Sequence, residues 1–245
     1  MGITKTYPEG VSVCVSAYKA SKYIEICLDS INAQRWFEMN PEYEILVGVD
    51  GCKETLSKVE SIMNKYKNIR VFMMDCNSGT YITSNTIMKE ARYEWLLNFG
   101  ADDIMHLDLV EKAMKNKREA EVVRWKMNNF GMDSKNRASV SSGACLFSHS
   151  LFDYLNGFKE WRCSGDSDFL KRAKKFSKIE IIDEILMERR LHKDSLTCSP
   201  STGFKSPLRE KYRSIIENSS NYSTKDKCIN QKYVTVSFKE VKNEL

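Results

Sequence analysis

Two neighbouring carboxylates close the segment YEWLLNFGADDIM (residues 93–105): an apolar run halts, a glycine intervenes, and Asp102 and Asp103 stand side by side. Carboxylates at the end of a buried strand either belong to a solvated turn or hold a cation. Oxygen ligands without thiolates select a hard divalent ion, Mg or Mn. A second acidic pair, Asp166 and Asp168, opens the helical pattern DSDFLKRAKKF. Acids are favoured there by the helix dipole alone, by roughly 0.3–1 kcal/mol each. Of the three histidines, His192 lies in the loop-like RRLHKDSLT, whereas His106 and His149 sit in helix or strand-end contexts that suit structural roles.

What must bring these groups together is a chain of alternating elements. GVSVCVSAY, YEILVGVDG, IRVFMMD and YEWLLNFG are short, apolar, β-branched runs that predict strands. Between them lie three helical patterns: KASKYIEICLDSINAQRWF, with an inner face of Ile26, Cys27 and Ile31, then ETLSKVESIMNKY and TSNTIMKEA. This alternation predicts an α/β domain with a mainly parallel sheet and helices on both faces. In such sheets ligands bind beyond the carboxyl ends of the strands. Ser16 and Tyr18 follow the first predicted strand, Asp50 and Gly51 the second, Asn77, Ser78 and Gly79 the third, and the acidic pair the fourth. One rim thus collects hydroxyls, carboxylates and glycines. It suits a nucleotide whose base and ribose meet the first two strand ends and whose phosphates reach the acids through a cation.

Beyond Asp103, LDLVEKAMKNK predicts a helix, and EAEVVRWKM and RASVSSGACLFSH predict strands that join the sheet or form a hairpin at its edge. LFDYLNGF and DSDFLKRAKKF read as helices, and IEIIDEILMERRL as a strand running into an ordered loop. From about Lys205 the chain turns polar and rich in Ser, Asn and Lys around one predicted helix. The organisation expected is a domain over 1–204, with a nucleotide-binding half to about 105 and an acceptor half from 106, followed by a C-terminal appendage, 205–245.

The ordered set VSVCVSAYKASKYIEICLDSI, YEILVGVDG, NSGTYITSN and YEWLLNFGADD resembles the nucleotide-sugar half of family 2 glycosyltransferases of the GT-A fold. FDYLNGFKEWRCSGDSDFLKR is similar to the family's stretch in which a Gly-Phe pair precedes an acidic motif, and RRLHKDSLT to its late Arg-x-His loop. The resemblance implies a Rossmann-like GT-A domain with a mixed, mainly parallel sheet. It also implies an inverting transfer of a hexose from a nucleotide sugar, a UDP-sugar before a GDP- or dTDP-sugar, to an acceptor hydroxyl. Residue by residue, it implies Ser16 and Tyr18 against the base, Asp50 on base or ribose, and Asn77 and Gly79 in the loop beside the nucleotide. Asp102 corresponds to the metal-binding acid of the DxD motif, Asp166 to the general base, and His192 to a position near the metal or diphosphate. Gly100 stands where many relatives carry the first acid of DxD, with Asp103 next to the site as compensation. Gly165 stands where a Glu often precedes the base. Ser84 stands where a basic residue often faces the diphosphate, and is counted with the donor-binding positions. The chemistry asks for such groups: a cation stabilises the departing diphosphate, and a carboxylate takes the acceptor's proton, worth roughly 10²- to 10⁴-fold in rate.

Bulk composition is ordinary for a soluble globular protein. The 245 residues are 42 % hydrophobic and 29 % charged with signs interspersed, and the net charge of +5 suits anionic small ligands but falls short of a nucleic-acid binder's basic stripe. Eight cysteines without a C-x-x-C pair favour reduced thiols used as core filler, hence a cytoplasmic setting. No apolar run approaches the roughly 20 residues of a spanning helix, which leaves peripheral contact as the one membrane association open to it. Two rival classes share parts of the pattern. A non-catalytic nucleotide-sugar or glycan-binding module would tolerate Gly100, Gly165 and Ser84. A sugar-1-phosphate nucleotidyltransferase needs a glycine-rich basic loop after the first strand, which VSAYKASKY lacks.

Overall fold

A computed structural model describes residues 6–117, 120–132, 138–218 and 238–241. The first half alternates as its apolar periodicity dictates: β1 (Val11–Ala17), α1 (Ile24–Asn32), α2 (Arg35–Met39), β2 (Tyr43–Val49), α3 (Lys53–Ile62) with a 3-10 turn over Met63–Lys65, β3 (Ile69–Met74), α4 (Thr80–Lys89) and β4 (Trp95–Gly100). The second half runs β5 (Ile104–Met105), α5 (Leu109–Asn116), β6 (Val122–Gly131), β7 (Ser139–Val140), β8 (Cys145–Ser148), α6 (His149–Leu155), α7 (Gly165–Ala173), β9 (Ile179–Leu191), α8 (Pro207–Asn218) and β10 (Phe238–Val241).

The described strands form one sheet in the order β10-β3-β2-β1-β4-β8-β6-β9-β5, with β7 attached to β6. The pairs β3–β2, β2–β1 and β1–β4 are parallel, so the carboxyl ends of four strands meet at one rim. Beyond β4 the sheet is mixed: β8 is antiparallel to both β4 and β6, β6 is parallel to β9, and β5 is antiparallel to β9. The two predicted strands after α5 therefore enter the sheet itself. Buried side chains divide by pleat. Val11, Val13 and Val15 pack with α1, α3 and α5 on one face. Cys14, Leu46 and Phe72 pack with α4, α6 and α7 on the other. This is the three-layer arrangement expected of helices flanking a largely buried sheet.

Two local features differ from the sequence expectation. The first helix is broken in two at Ala33 and Gln34, where the buried Gln34 amide donates to the Ser30 and His106 carbonyls and accepts from the Val110 amide. Its inner face is Ile24, Cys27, Leu28 and Ile31, whereas Ile26 is 47 % exposed. A helix that begins at Ile24 takes its phase from i, i+3, i+4 and i+7, which rotates position 26 outward. Among the described residues, the tail after Lys205 meets the domain where α8 stacks Tyr212 on Trp161 and where β10 pairs antiparallel with the edge strand β3.

The long β9 does most to build the acidic end of the rim. Two register shifts against β6, at Trp125/Lys126 and Lys126/Met127, bend the pair. Its last turns then reach β5, pairing Ile104 with Glu188 and Met105 with Met187. That pairing sets Arg190 and the following His192 against the turn carrying Asp102 and Asp103. No helix among the described residues is long and apolar enough to cross a membrane.

Candidate active site

At the ends of the first three strands, Asp50 organises the loop between β3 and α4. It is 2 % exposed, and its carboxylate accepts from the Ser78 amide at 2.7 Å, the Gly79 amide at 2.9 Å and the Asn77 side chain at 3.0 Å. Charge-assisted bonds of this kind are among the strongest a loop can make. Gly51 has φ +66°, and a Cβ there would lie 2.3 Å from the Cys76 carbonyl carbon and 2.4 Å from the Asn77 nitrogen, so only glycine allows the two loops to touch. Ser16 Oγ lies 2.7 Å from Thr80 Oγ1. Tyr18 is 47 % exposed, with the Lys19 ammonium 5.4 Å from its ring centroid. Ser84 is on the other side of this surface: it is 2 % exposed and faces Asn98 Oδ1 at 3.4 Å beneath the rim. The expected place beside a diphosphate does not fit that burial.

The acidic turn after β4 is tied to the end of β9. His192 Nε2 lies 2.9 Å from Asp102 Oδ2, and both side chains are partly exposed. Asp103 is buried behind them, with Oδ1 accepting from the Arg190 amide at 2.9 Å. Burial, with the Asp102 charge second, pushes the Asp103 carboxyl well above the usual range. Arg190 donates to the Asp102 carbonyl at 3.0 Å, and its guanidinium lies over the rings of Phe130, 4.4 Å away, and Tyr23, 4.8 Å away. Gly100 is explained by the same packing. A Cβ there would come within 2.8 Å of Asp103 Oδ2 and 3.1 Å of Asp102 Oδ1, so the two acids occupy the space a side chain at 100 would need.

Asp166 stands in the first turn of α7, partly exposed, with Oδ1 accepting from the Tyr81 hydroxyl at 2.7 Å. It is linked to the same rim through Gly143: the Asn98 amide of β4 donates to the Gly143 carbonyl at 2.7 Å, and a Cβ on Gly143 would lie 3.7 Å from Asp166 Oδ2. Arg162, four residues earlier, crosses to the loop between β3 and α4 and donates to Asn77 Oδ1 at 2.9 Å.

Asp168, two residues on, does something different. It is fully buried, 2.7 Å from Arg172 Nε and 3.6 Å from Lys159, while Arg172 donates onward to the Leu155 and Gly157 carbonyls. The pair thereby clamps the Gly157-Phe158 turn to α7. Asp168→Ala leaves the Arg172 charge buried without its carboxylate and is expected to cost about 3–5 kcal/mol of stability. Denaturant unfolding measures this, and a loss under 1 kcal/mol would contradict the clamp.

The structure thus gathers Ser16, Tyr18, Asp50, Asn77, Gly79, Asp102, Asp103, Asp166 and His192 along one strand-end rim and leaves Ser84 under it. Residues that pattern reading passed over are Tyr81, which lies just ahead of the predicted helix TSNTIMKEA, and Arg124 on β6, whose Nε donates to the Ser141 carbonyl at 2.6 Å. Trp161 and Arg162, just ahead of α7, are engaged with Tyr212 and Asn77.

A cation at Asp102 and His192 fits the donor set in part. Among the described residues no three or more His, Cys, Asp or Glu side chains converge on one point, so an ion here would draw its other ligands from substrate phosphates and water, as Mg commonly does.

Residues 12–176, well over half of the chain, match the sequence profile of glycosyl transferase family 2. Among curated proteins, the teichoic acid poly(glycerol phosphate) polymerase of Staphylococcus epidermidis is 30 % identical over 95 residues, 38 % of this chain and 13 % of that protein. Among solved structures, S. aureus TarS in complex with UDP-GlcNAc superposes with a TM-score of 0.66 at 21 % identity, covering 76 % of this chain and 60 % of that one. A mannosyltransferase from Pyrobaculum calidifontis in complex with GDP-Man and Mn2+ gives 0.64 at 17 % identity, covering 78 % and 59 %. The chain therefore spans a small part of the polymerase and about three fifths of these structures, and the likeness to the latter is one of fold: an α/β GT-A architecture.

Proposed function

The chain belongs to glycosyl transferase family 2, and from that premise we propose that it moves a hexose from a nucleotide sugar, a UDP-sugar first, to an acceptor hydroxyl with inversion at the anomeric carbon. The single observation that carries the reading is the tethering of two acids with different surroundings to one rim. Asp102 is paired with a histidine at the end of β4, and Asp166 keeps one carboxylate oxygen open on the first turn of α7. The donor complexes of TarS with UDP-GlcNAc and of the mannosyltransferase with GDP-Man and Mn2+ support the substrate class.

In this reading Tyr18 and Ser16 receive the base, and the loop locked by Asp50 meets the ribose and diphosphate. Asp102 and His192 would hold a Mn or Mg ion, with the buried Asp103 packed behind them. When bound, the ion stabilises the charge that grows on the departing diphosphate. Asp166 accepts the proton of the acceptor hydroxyl as that oxygen attacks the face of the sugar opposite the diphosphate. One displacement with one base inverts the centre.

The proposal is tested by thermal shift with a panel of UDP-, GDP- and dTDP-sugars with and without Mn, followed by transfer of labelled sugar from whichever donor stabilises the protein. A donor that binds only the folded chain raises its melting temperature with concentration. The expected result is a UDP-sugar shift enlarged by Mn and accompanied by turnover. Saturable binding with no transfer or hydrolysis would instead identify a binding module, and no shift with any nucleotide sugar would refute the reading.

A further inference from the structure

The contact between α4 and the start of α7 is built around a single phenol. Tyr81, the second residue of α4, is 6 % exposed, and its ring packs against Phe158 with centroids 5.6 Å apart. Its hydroxyl donates to Asp166 Oδ1 at 2.7 Å. The ring reaches this place because residue 165 has no side chain: a Cβ there would lie 2.9 Å from both Cγ and Cδ2 of Tyr81 and 3.1 Å from the Lys159 carbonyl. Gly165 and Tyr81 are therefore a steric pair, one vacating the space the other fills. Tyr81 also stands two residues after Gly79, whose amide is held by Asp50, so the donor-side loop and the Asp166 carboxylate are joined through one helix start.

We propose that Tyr81 is the positioning residue for Asp166, fixing one carboxylate oxygen and the side-chain rotamer so that the other oxygen, on the Gly143 side, is presented to the acceptor hydroxyl. The proposal rests on Asp166 being the base. Burial, with the neighbouring Asp166 charge second, pushes the phenol well above its usual range, so it stays a hydrogen donor throughout the working pH range. The carboxylate has no comparable side-chain donor on the other oxygen among the hydrogen bonds of the described residues. A carboxylate free to rotate spends less time in the near-attack geometry that proton transfer needs.

A double-mutant cycle separates this role from simple packing. Full-length wild type, Tyr81→Phe, Asp166→Asn and the double variant are compared for kcat and donor KM. Tyr81→Phe keeps the ring and is expected to lower kcat about 10-fold with donor KM within roughly twofold, whereas the same change in the Asp166→Asn background costs nothing further. Gly165→Ala, which pushes the ring from the opposite side, is expected to reproduce the kcat loss and serves if Tyr81→Phe does not fold. Unchanged kcat in folded Tyr81→Phe or Gly165→Ala, or an equal loss from Tyr81→Phe in both backgrounds, overturns the positioning role while leaving the base intact. Unchanged turnover in Asp166→Asn overturns the base reading itself, whatever Tyr81 does.

Discussion

Asp166→Asn is expected to lower turnover by about 10²-fold or more while leaving donor affinity at the wild-type value. The change keeps shape and one hydrogen-bond acceptor for the Tyr81 hydroxyl, so the first turn of α7 is preserved. What it removes is a group able to take a proton. Because the contacts proposed for the donor, at Tyr18, Asp50 and Asn77, stand at the ends of β1 and β2 and in the β3–α4 loop, away from α7, donor binding has no reason to change. A paired measurement of kcat and of donor dissociation by calorimetry reads both parts at once. Loss of affinity equal to the loss of turnover would reassign Asp166 to substrate binding, and turnover within twofold of wild type would remove it from the chemistry. The contrast with Asp168 sharpens the expectation. Two acids in one helical turn separate by environment: one is buried on an arginine and serves stability, while the other is half open to the rim.

Asp102→Ala is expected to abolish the response of activity to Mn or Mg and to weaken donor binding in the presence of metal. The argument is one of alternatives. Asp103 is the nearest other carboxylate, yet it is buried with Oδ1 on the Arg190 amide, and the Asp102–Asp103 turn is pinned to β9 by Arg190 on both sides. His192 alone, a neutral donor at best, does not hold a hard dication against water. Titrating Mn into wild type and Asp102→Ala while following transfer gives the readout. A wild-type enzyme that works equally well in chelator would contradict the metal assignment, and a variant that still responds to Mn would shift it away from Asp102.

How legible this arrangement was in the sequence depends on what kind of interaction fixes each part. β1 to β4 and their intervening helices announce themselves because apolar periodicity is a local signal and each strand buries both faces. The strand-end positions of Asp50, Asn77 and Asp102 follow from the same pattern. Parts fixed by long-range packing were not readable in this way. Nothing local says that residues 104 and 105 pair with 187 and 188, which is what draws His192 to Asp102. The inward turn of Ile24 instead of Ile26 depends on where the helix begins, a one-residue boundary that composition does not set. Ser84 shows the cost of carrying a role across by position alone: the helix face it occupies packs into the sheet. Conversely, Gly100 and Gly165 read as missing acids in the sequence but as space in the structure, one filled by the Asp102 and Asp103 carboxylates and the other by the Tyr81 ring.

The central claim is tested most directly by a crystal structure of the full chain soaked with a UDP-sugar and Mn, with the anomalous signal of the metal used to locate it. The account predicts the metal against Asp102 and His192 with the diphosphate on it, the uracil ring along Tyr18, and the anomeric carbon open toward Asp166. A metal or nucleotide bound away from the ends of β1 to β4, or a sugar whose far face is turned from Asp166, would contradict it.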